Sequence, residues 1–322
     1  MISIRVTRRL CFHPLRPFNS SRVSRYQISS PPLNTSFEAS RCASTKTSLE
    51  VPQLVAHSLG DAQQPRHLQA VHQSLWQDGI LKVTLKFPDD KSQYLQHLLL
   101  GLHKHHGHGR PITHSASRGW FWDVRPNKTT FQTANHQARS ETMQEFPWHT
   151  DCSYEEAPPR FFALQVLQHD RYGGGTLSVM KVERLSELLS PATRQALHRP
   201  EYRISIPPEF IKSPNQRHIV GSILAREEHE DEQSTRVRFR EEIVNPVTAS
   251  ASHALQELRA ALRDLDAASH STLHLTAGDL CRQSIILMDN SRWLHARNEV
   301  RDPERHLRRV RWHAVLFARA GF

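Results

Sequence analysis

The segment Phe146-Pro147-Trp148-His149-Thr150-Asp151 carries an imidazole and a carboxylate two residues apart. A second imidazole, His295, follows far downstream in Asp289-Asn290-Ser291-Arg292-Trp293-Leu294-His295. Two imidazoles and one carboxylate on one side of a metal form the facial set suited to non-haem Fe(II), which leaves coordination positions open for a co-substrate and oxygen. Residues two apart on an extended strand project to the same face, so the spacing predicts that His149 and Asp151 grip one ion while Thr150 points away. The third ligand must come from elsewhere in the fold. His295 follows Ser284-Ile285-Ile286-Leu287-Met288, a strand-like run, which predicts a place at a strand end beside the first pair.

A chain with 22 histidines contains roughly one His-x-Asp by chance, and here a second exists, His229-Glu230-Asp231. It lies in the acidic run Arg226-Glu227-Glu228-His229-Glu230-Asp231-Glu232-Gln233, which has no apolar flank and reads as a solvated loop. His149-Thr150-Asp151 differs in context. Phe146, Trp148 and Tyr154 stand on one side and Phe161-Phe162-Ala163-Leu164-Gln165-Val166-Leu167 on the other, which builds it into a core. The cluster His103-Lys104-His105-His106-Gly107-His108 has neither a carboxylate nor an apolar frame, and reads as histidines at a loop or helix end.

From about Gly79 to Phe317 the chain resembles the TauD/TfdA family of taurine-dioxygenase-like Fe(II)/2-oxoglutarate-dependent oxygenases. Four features in order carry the resemblance: His149-Thr150-Asp151, Gly173-Gly174-Gly175-Thr176, Met288-Asp289-Asn290-Ser291-Arg292-Trp293-Leu294-His295-Ala296-Arg297, and Arg305-His306-Leu307-Arg308-Arg309-Val310. Each piece alone is weak, and their order makes the signal specific. The resemblance implies a mainly β fold with helical inserts, a double-stranded β-helix (jelly-roll, cupin-like) whose open mouth holds the metal. It implies Fe(II) on His149, Asp151 and His295, with 2-oxoglutarate chelating the iron through its keto acid end. The far carboxylate of 2-oxoglutarate needs a cation, and the planar fork of arginine meets a carboxylate with two parallel hydrogen bonds. The family's interval beyond the distal histidine places Arg309 there, with Arg305 nearby as a second positive group. Thr176 matches the family's threonine that bonds the same carboxylate, and the preceding glycines let the backbone approach a ligand closely.

The arginine has a visible competitor. If the last strand runs Arg308 to Phe317, the apolar alternation Val310, Trp312, Ala314, Leu316 is in phase with Arg308, while Arg309 shares a side with Arg311 and His313. Pattern alone leaves Arg308 and Arg309 both open, and the family's strand start and the interval from Arg305 favour Arg309. The implied reaction consumes molecular oxygen and hydroxylates a C–H bond of a small-molecule substrate, with release of succinate and carbon dioxide. Asp151 matters here, because related halogenases carry a small non-ligating residue at that position. The chain lacks the cysteine-rich zinc module of the carnitine-pathway hydroxylases, which argues against a trimethylammonium substrate. A basic cavity containing Arg297, Arg309 or Arg311 suits a small anionic metabolite such as a sulfonate or carboxylate. A protein or RNA hydroxylase of the same chemistry and a non-catalytic, metal-stabilised binding protein are the competing readings.

Composition bounds the remaining classes. Hydrophobic residues are 38% and charged residues 23%, and no apolar run is long enough to span a bilayer. The motif pieces spread over most of the length and must converge, so one oxygenase domain is expected over 49–322, preceded by a leader at 1–48. That leader holds seven arginines, one lysine and a single acid, Glu38, with many serines and no glycine. This is the composition of a mitochondrial transit peptide. Ile4-Arg5-Val6-Thr7-Arg8-Arg9-Leu10 suits a short basic amphipathic helix, and Arg41-Cys42-Ala43-Ser44 resembles a matrix-processing site, so the expected location is the mitochondrial matrix. The chain's formal net charge is +10, but the leader holds eight of the 42 basic residues and one of the 32 acidic ones, leaving only +3 on the rest. Nucleic-acid and membrane partners lose most of their support, and a homo-oligomer is compatible with the reading. Of the four cysteines, Cys11 and Cys42 fall in the leader, while Cys152 and Cys281 have no close partner for a zinc motif; Cys152, beside Asp151, reads as a structural thiol.

The coarse elements fit this fold. Helical spacing covers 70–78, 92–105, 182–189, 190–197 and 252–266. Strands are expected at 79–85, 160–168, 203–206, 236–240, 273–275, 284–288 and 310–317. Trp120-Phe121-Trp122-Asp123 reads either as aromatic lining of the substrate mouth or as a buried strand.

Overall fold

The computed structural model describes residues 50–113, 119–126, 136–229, 232–265 and 272–318. The leader and the residues Glu230 and Asp231 of the second His-x-Asp lie outside that set. The described residues are mainly β, with a six-stranded sheet, a four-stranded sheet, two smaller sheets and five α-helices. The six-stranded sheet runs Gln53–Ala56, Ile80–Leu85, Ser284–Asp289, Pro159–Gln168, His306–Ala314, Phe121–Val124 across its width. The four-stranded sheet runs Leu273–Leu275, Leu177–Lys181, Trp293–Arg297, Phe146–His149.

The central strands of the larger sheet are apolar on both faces because both faces are covered. Leu81, Val83, Phe161, Ala163, Ile285, Leu287, Val310 and Trp312 form one core cluster with Leu68, Val71, Leu75, Leu95, Leu98 and Leu102 of the helices Pro65–Gln77 and Gln93–His106. The opposite alternation, Ile80, Phe162, Ile286 and Met288, packs with Leu177, Val179, Leu275 and Trp293 of the smaller sheet. Side-chain alternation along each strand therefore separates a helix-covered face from a face turned to the second sheet. The helix Pro65–Gln77 begins with proline at its first position, where the missing N–H costs nothing. The helix Gln93–His106 is fixed at its start by Asp89, whose carboxylate oxygens accept from the N–H groups of Gln93 and Tyr94, each at 2.9 Å.

Most expected elements appear within a few residues of their sequence positions. The last strand is the main correction. It spans His306–Ala314 rather than starting at 310, and His313 takes a left-handed backbone (φ 62°), which breaks the alternation that seemed to continue to Leu316. The expected strand 236–240 is also shifted: Glu232–Val237 pairs antiparallel with Leu224–His229. Phe121–Val124 is an edge strand paired with Leu307–Val310, so the aromatic stretch is a strand, and its Trp122 also borders a recess beside Tyr154 and Phe210. Among the described helices none is long and apolar enough to cross a membrane.

Candidate metal centre

Antiparallel pairing of Phe146–His149 with Trp293–Arg297 sets His149 directly opposite His295. Cross-strand neighbours of this kind stand close enough for their side chains to meet, and here the ring centroids are 4.1 Å apart. Asp151 joins them by a route that differs from the expectation. The strand ends at His149, and Asp151 lies in the following turn, ahead of Cys152 in left-handed backbone (φ 54°). The turn therefore delivers the carboxylate, and simple strand alternation does not.

Two neighbours fix that turn. Asn290 accepts from the Asp151 N–H through Oδ1 (2.7 Å), and its Nδ2 donates to the Asp151 and Pro159 carbonyls (2.9 Å each). On the other side the Thr150 N–H donates to the Phe239 carbonyl (2.7 Å) and the Thr150 Oγ1 accepts from the Phe239 N–H (3.1 Å), which turns this side chain away as expected. The outcome is a buried group in which one ligand atom from each of His149, Asp151 and His295 lies within 4.8 Å of the others, the only such His/Cys/Asp/Glu group among the described residues. The histidines at 103–108 form none.

The donor set suits a divalent cation. His149 Nδ1 lies 2.7 Å from the Pro147 carbonyl, which can only accept, so Nδ1 carries the proton and Nε2 keeps its lone pair for a ligand. Its ring stacks on Phe146 at 3.6 Å between centroids, and the His295 ring packs on Phe162 at 4.7 Å. Burial holds His149 well below the usual imidazole range and pushes His295 down to about 4, against the pull of Asp151. Both rings are thus neutral near pH 7, the form that binds metal. Burial alone would raise the Asp151 carboxyl, but Arg309, Arg311 and the two histidines outweigh it and hold the group below the usual carboxylate range. Its Oδ1 takes a bond from Arg309 Nη1 (3.1 Å) and lies 3.9 Å from His295 Nε2, while its Oδ2 is buried with no hydrogen-bond partner. An ionised carboxylate with an orphaned oxygen beside two neutral imidazoles is a site a cation completes.

A cavity opens from this cluster. Phe162, Leu164, Val166, Leu177, Ile286 and Leu307 give it apolar walls, and Arg305, Gly174 and Gly175 also line it. Arg305 is buried, its Nη1 has no hydrogen-bond partner, and burial pushes the guanidinium down to about 10. Gly175 adopts φ 67°, and a Cβ there would sit 2.6 Å from Arg305 Nε, so the glycine makes room for the arginine.

The structure also sorts the arginines left open by the pattern. Leu307, Arg309 and Arg311 share the inner face of the last strand, whereas Arg308 points outward, donating to Asp123 Oδ1 (3.0 Å) and the Asp90 carbonyl (2.8 Å). Arg309 and Arg311 border a second recess that shares His149 and Asp151 with the cavity and is lined also by Cys152, Tyr154 and Phe210. There Arg311 Nη1 donates to Cys152 Sγ. Arg297 does not act as an open cation: its donors go to the carbonyls of Ser140 (3.4 Å), Thr142 (3.1 Å) and Gln144, clamping the segment before Phe146. Thr176 is half-buried, its N–H donates to Asn298 Oδ1 (2.7 Å), and its neighbours Gly174, Gly175 and Leu177 supply the cavity lining. Asn290 has no role in the sequence reading although it lies inside the motif around His295, and Arg297, expected there as a cavity cation, is spent on backbone carbonyls instead. No local signal marks Asn290, because its partners Asp151 and Pro159 lie more than 130 residues away in sequence.

The model of the taurine catabolism dioxygenase TauD, TfdA family matches residues 50–311, and the chain belongs to this family. An L-asparagine oxygenase of Streptomyces coelicolor is 31% identical over 152 residues, which cover 47% of this chain and 41% of that protein. The chain thus matches about two-fifths of the length of that curated relative. Among solved structures, an asparagine oxygenase in complex with Fe(II), 3-hydroxyasparagine and succinate superposes with TM-score 0.58 at 21% identity, covering 79% of each chain. The non-heme iron oxygenase OrfP in complex with Fe and alpha-ketoglutaric acid gives 0.57 at 15% identity, covering 83% of this chain and 95% of that one. These two likenesses establish a shared fold.

Proposed function

We propose that this protein is an Fe(II)/2-oxoglutarate-dependent dioxygenase that hydroxylates a small amino acid or related carboxylate, releasing succinate and carbon dioxide. The observation that carries the reading is the convergence of His149, Asp151 and His295 at a cavity whose lining also holds the unbonded Nη1 of Arg305. The family membership supports the chemistry, and the named substrates of the asparagine oxygenase and of OrfP, which is also solved with 3-hydroxy-L-Arg, support the substrate class. The two packed sheets are read as the double-stranded β-helix of such enzymes.

His149, Asp151 and His295 would hold the iron. Iron and 2-oxoglutarate bound there supply oxidative decarboxylation coupled to C–H hydroxylation. The chain's own residues do the rest. Arg305 receives the far carboxylate of 2-oxoglutarate, because its Nη1 lacks a partner, whereas Arg309 is already engaged with Asp151. This reverses the order of the two arginines that the family resemblance implies. Arg309 keeps Asp151 ionised and borders both the cavity and the second recess. Phe162, Leu164, Leu177 and Ile286 enclose the methylenes of the co-substrate and exclude water. Arg309 and Arg311, facing the recess beside Tyr154 and Phe210, favour a substrate that carries a carboxylate.

The test is oxygen-dependent succinate formation from 2-oxoglutarate, screened against free amino acids and small carboxylates. Succinate release stimulated by one of these, and abolished in His149→Ala, is the expected result. Stimulation only by a folded protein or an RNA would transfer the assignment to a macromolecular hydroxylase. Residues 1–48 are read as a mitochondrial transit peptide on their basic, acid-poor composition. A fluorescent fusion of that segment that stays outside mitochondria would refute this location.

A further inference from the structure

Beside the cavity two turns hold one another through a pair of carboxylates. Asp170 Oδ2 accepts from the N–H groups of Arg301 (2.7 Å) and Asp302 (3.1 Å), and its Oδ1 accepts from the N–H of Tyr172 (2.9 Å). Asp302 reaches back across the same junction. Its Oδ2 accepts from the Arg171 N–H (3.2 Å) and Arg171 Nε (2.6 Å), and its Oδ1 from Arg171 Nη2 (2.8 Å) and the Glu304 N–H (2.9 Å). The Gly175 N–H adds a bond to the Glu299 carbonyl (2.8 Å), and the Arg305 N–H donates to the Asp302 carbonyl (3.1 Å). Each turn thus supplies a carboxylate that the other satisfies, and Arg305 hangs directly from the junction.

The fit is close. A Cβ on Gly174 would lie 2.6 Å from both the Arg301 nitrogen and the Glu299 oxygen, and one on Gly175 would meet Arg305 Nε at the same distance. Asp302 has no exposed side-chain surface, while its partner Arg171 is about half exposed. Burying a carboxylate against an arginine seldom raises stability above what apolar packing would give; what these bonds do here is tie the turn that leads to Gly175 to the turn that carries Arg305. The geometry fixed here is the direction of Arg305, whose guanidinium is packed over Gly175 and faces the cavity.

We propose that Asp302, clamped by Arg171 and seconded by Asp170, is a positioning residue that aims Arg305 and so sets the affinity for 2-oxoglutarate. The inference rests on Arg305 receiving the far carboxylate, as argued above. Misdirecting a charge-assisted pair costs most of its strength, because hydrogen bonds weaken steeply with angle.

The experiment is anaerobic calorimetric titration of 2-oxoglutarate into the full-length Fe(II)-loaded protein, with iron affinity measured in parallel. Arg171→Ala and Gly175→Ala are expected to raise the 2-oxoglutarate Kd at least tenfold while iron affinity stays within twofold, and Arg171→Lys is expected to recover part of the loss. Asp302→Asn should match Arg171→Ala; the half-exposed Arg171 keeps the test valid should Asp302→Asn fail to fold. A Kd within twofold of wild type in folded Arg171→Ala overturns the proposal, whatever Gly175→Ala does, because a Cβ at Gly175 meets Arg305 directly. A parallel loss of iron and 2-oxoglutarate affinity also overturns it, since that would be general loosening. Wild-type protein that binds iron but no 2-oxoglutarate overturns the reading of the site itself, and this inference with it.

Discussion

Asn290 bears on the metal centre without contacting a metal, and Asn290→Ala tests whether the turn behind His149 is what delivers Asp151. The substitution removes the acceptor for the Asp151 N–H and the donor shared by the carbonyls of Asp151 and Pro159, all in a buried setting. A buried polar group left without a partner costs about 1–3 kcal/mol. Three such groups, with partial relaxation, put the loss at about 3–5 kcal/mol. For a domain of this size each kcal/mol moves Tm by about 2–4 °C, so thermal unfolding of the metal-free protein should begin about 10 °C lower. Iron affinity, read by competition with a chelator, should fall about 10–100-fold, the usual effect of losing a group that orients a ligand. Asn290→Asp keeps the acceptor but turns an oxygen toward two carbonyls, and should be no better tolerated. A Tm within about 2 °C of wild type together with unchanged iron affinity would show that the turn holds Asp151 without Asn290.

Arg305→Gln should weaken 2-oxoglutarate binding by about two orders of magnitude, about 2.7 kcal/mol, as expected for losing a charge-assisted pair to a carboxylate. Arg308→Ala should leave that affinity within twofold, because Arg308 is held by Asp123 and Asp90 on the outer face; equal losses in the two variants, measured by equilibrium titration, would refute the sorting of these arginines. Arg297→Gln strips donors from the carbonyls of Ser140, Thr142 and Gln144 and should lower stability by about 2–4 kcal/mol in denaturant unfolding, with no change counting against the clamp. Acid should destabilise the protein through His108. Burial, with His72, His313, His106 and Arg160 nearby, pushes this imidazole down to about 3, below the ~6.5 of an unfolded chain. The unfolded state therefore takes up the proton first, stability is complete above about pH 6.5, and about 3 kcal/mol is lost by about pH 4. His108→Gln should flatten that part of the stability profile, and an unchanged slope would remove His108 as its source.

The metal ligands were legible because their chemistry needs particular residue types, and their context was apolar on both sides. His149 faces His295 because Phe146–His149 pairs with Trp293–Arg297, whereas the sequence pattern places His295 only at the end of the run 284–288, which is a strand of the other sheet. Asp151 reaches the site by a route that alternation does not predict: the strand ends at His149, and Asn290 and Phe239, more than eighty residues away in sequence, hold the turn that brings the carboxylate in. The register of the last strand was open because Arg308, Val310 and Trp312 alternate as cleanly as Arg309 and Arg311 do. Only the two-sided burial of that strand shows why both sets suit their faces, with Val310 and Trp312 under the helices and Arg309 and Arg311 toward the site. Arg297 looked like an open cation beside a ligand, and nothing local in the sequence announces that three carbonyls from residues 140–144 will take its donors. The Asp170–Asp302 junction is likewise a product of tertiary pairing between turns with ordinary loop compositions.

The most direct test of the central claim is the visible absorption of the purified protein titrated anaerobically with Fe(II) and then with 2-oxoglutarate. Chelation of 2-oxoglutarate to iron on His149, Asp151 and His295 predicts a weak charge-transfer band in the wild type that is lost in His295→Ala and in Asp151→Asn. The same band in either variant, or none in the wild type at saturating iron and 2-oxoglutarate, would contradict the account.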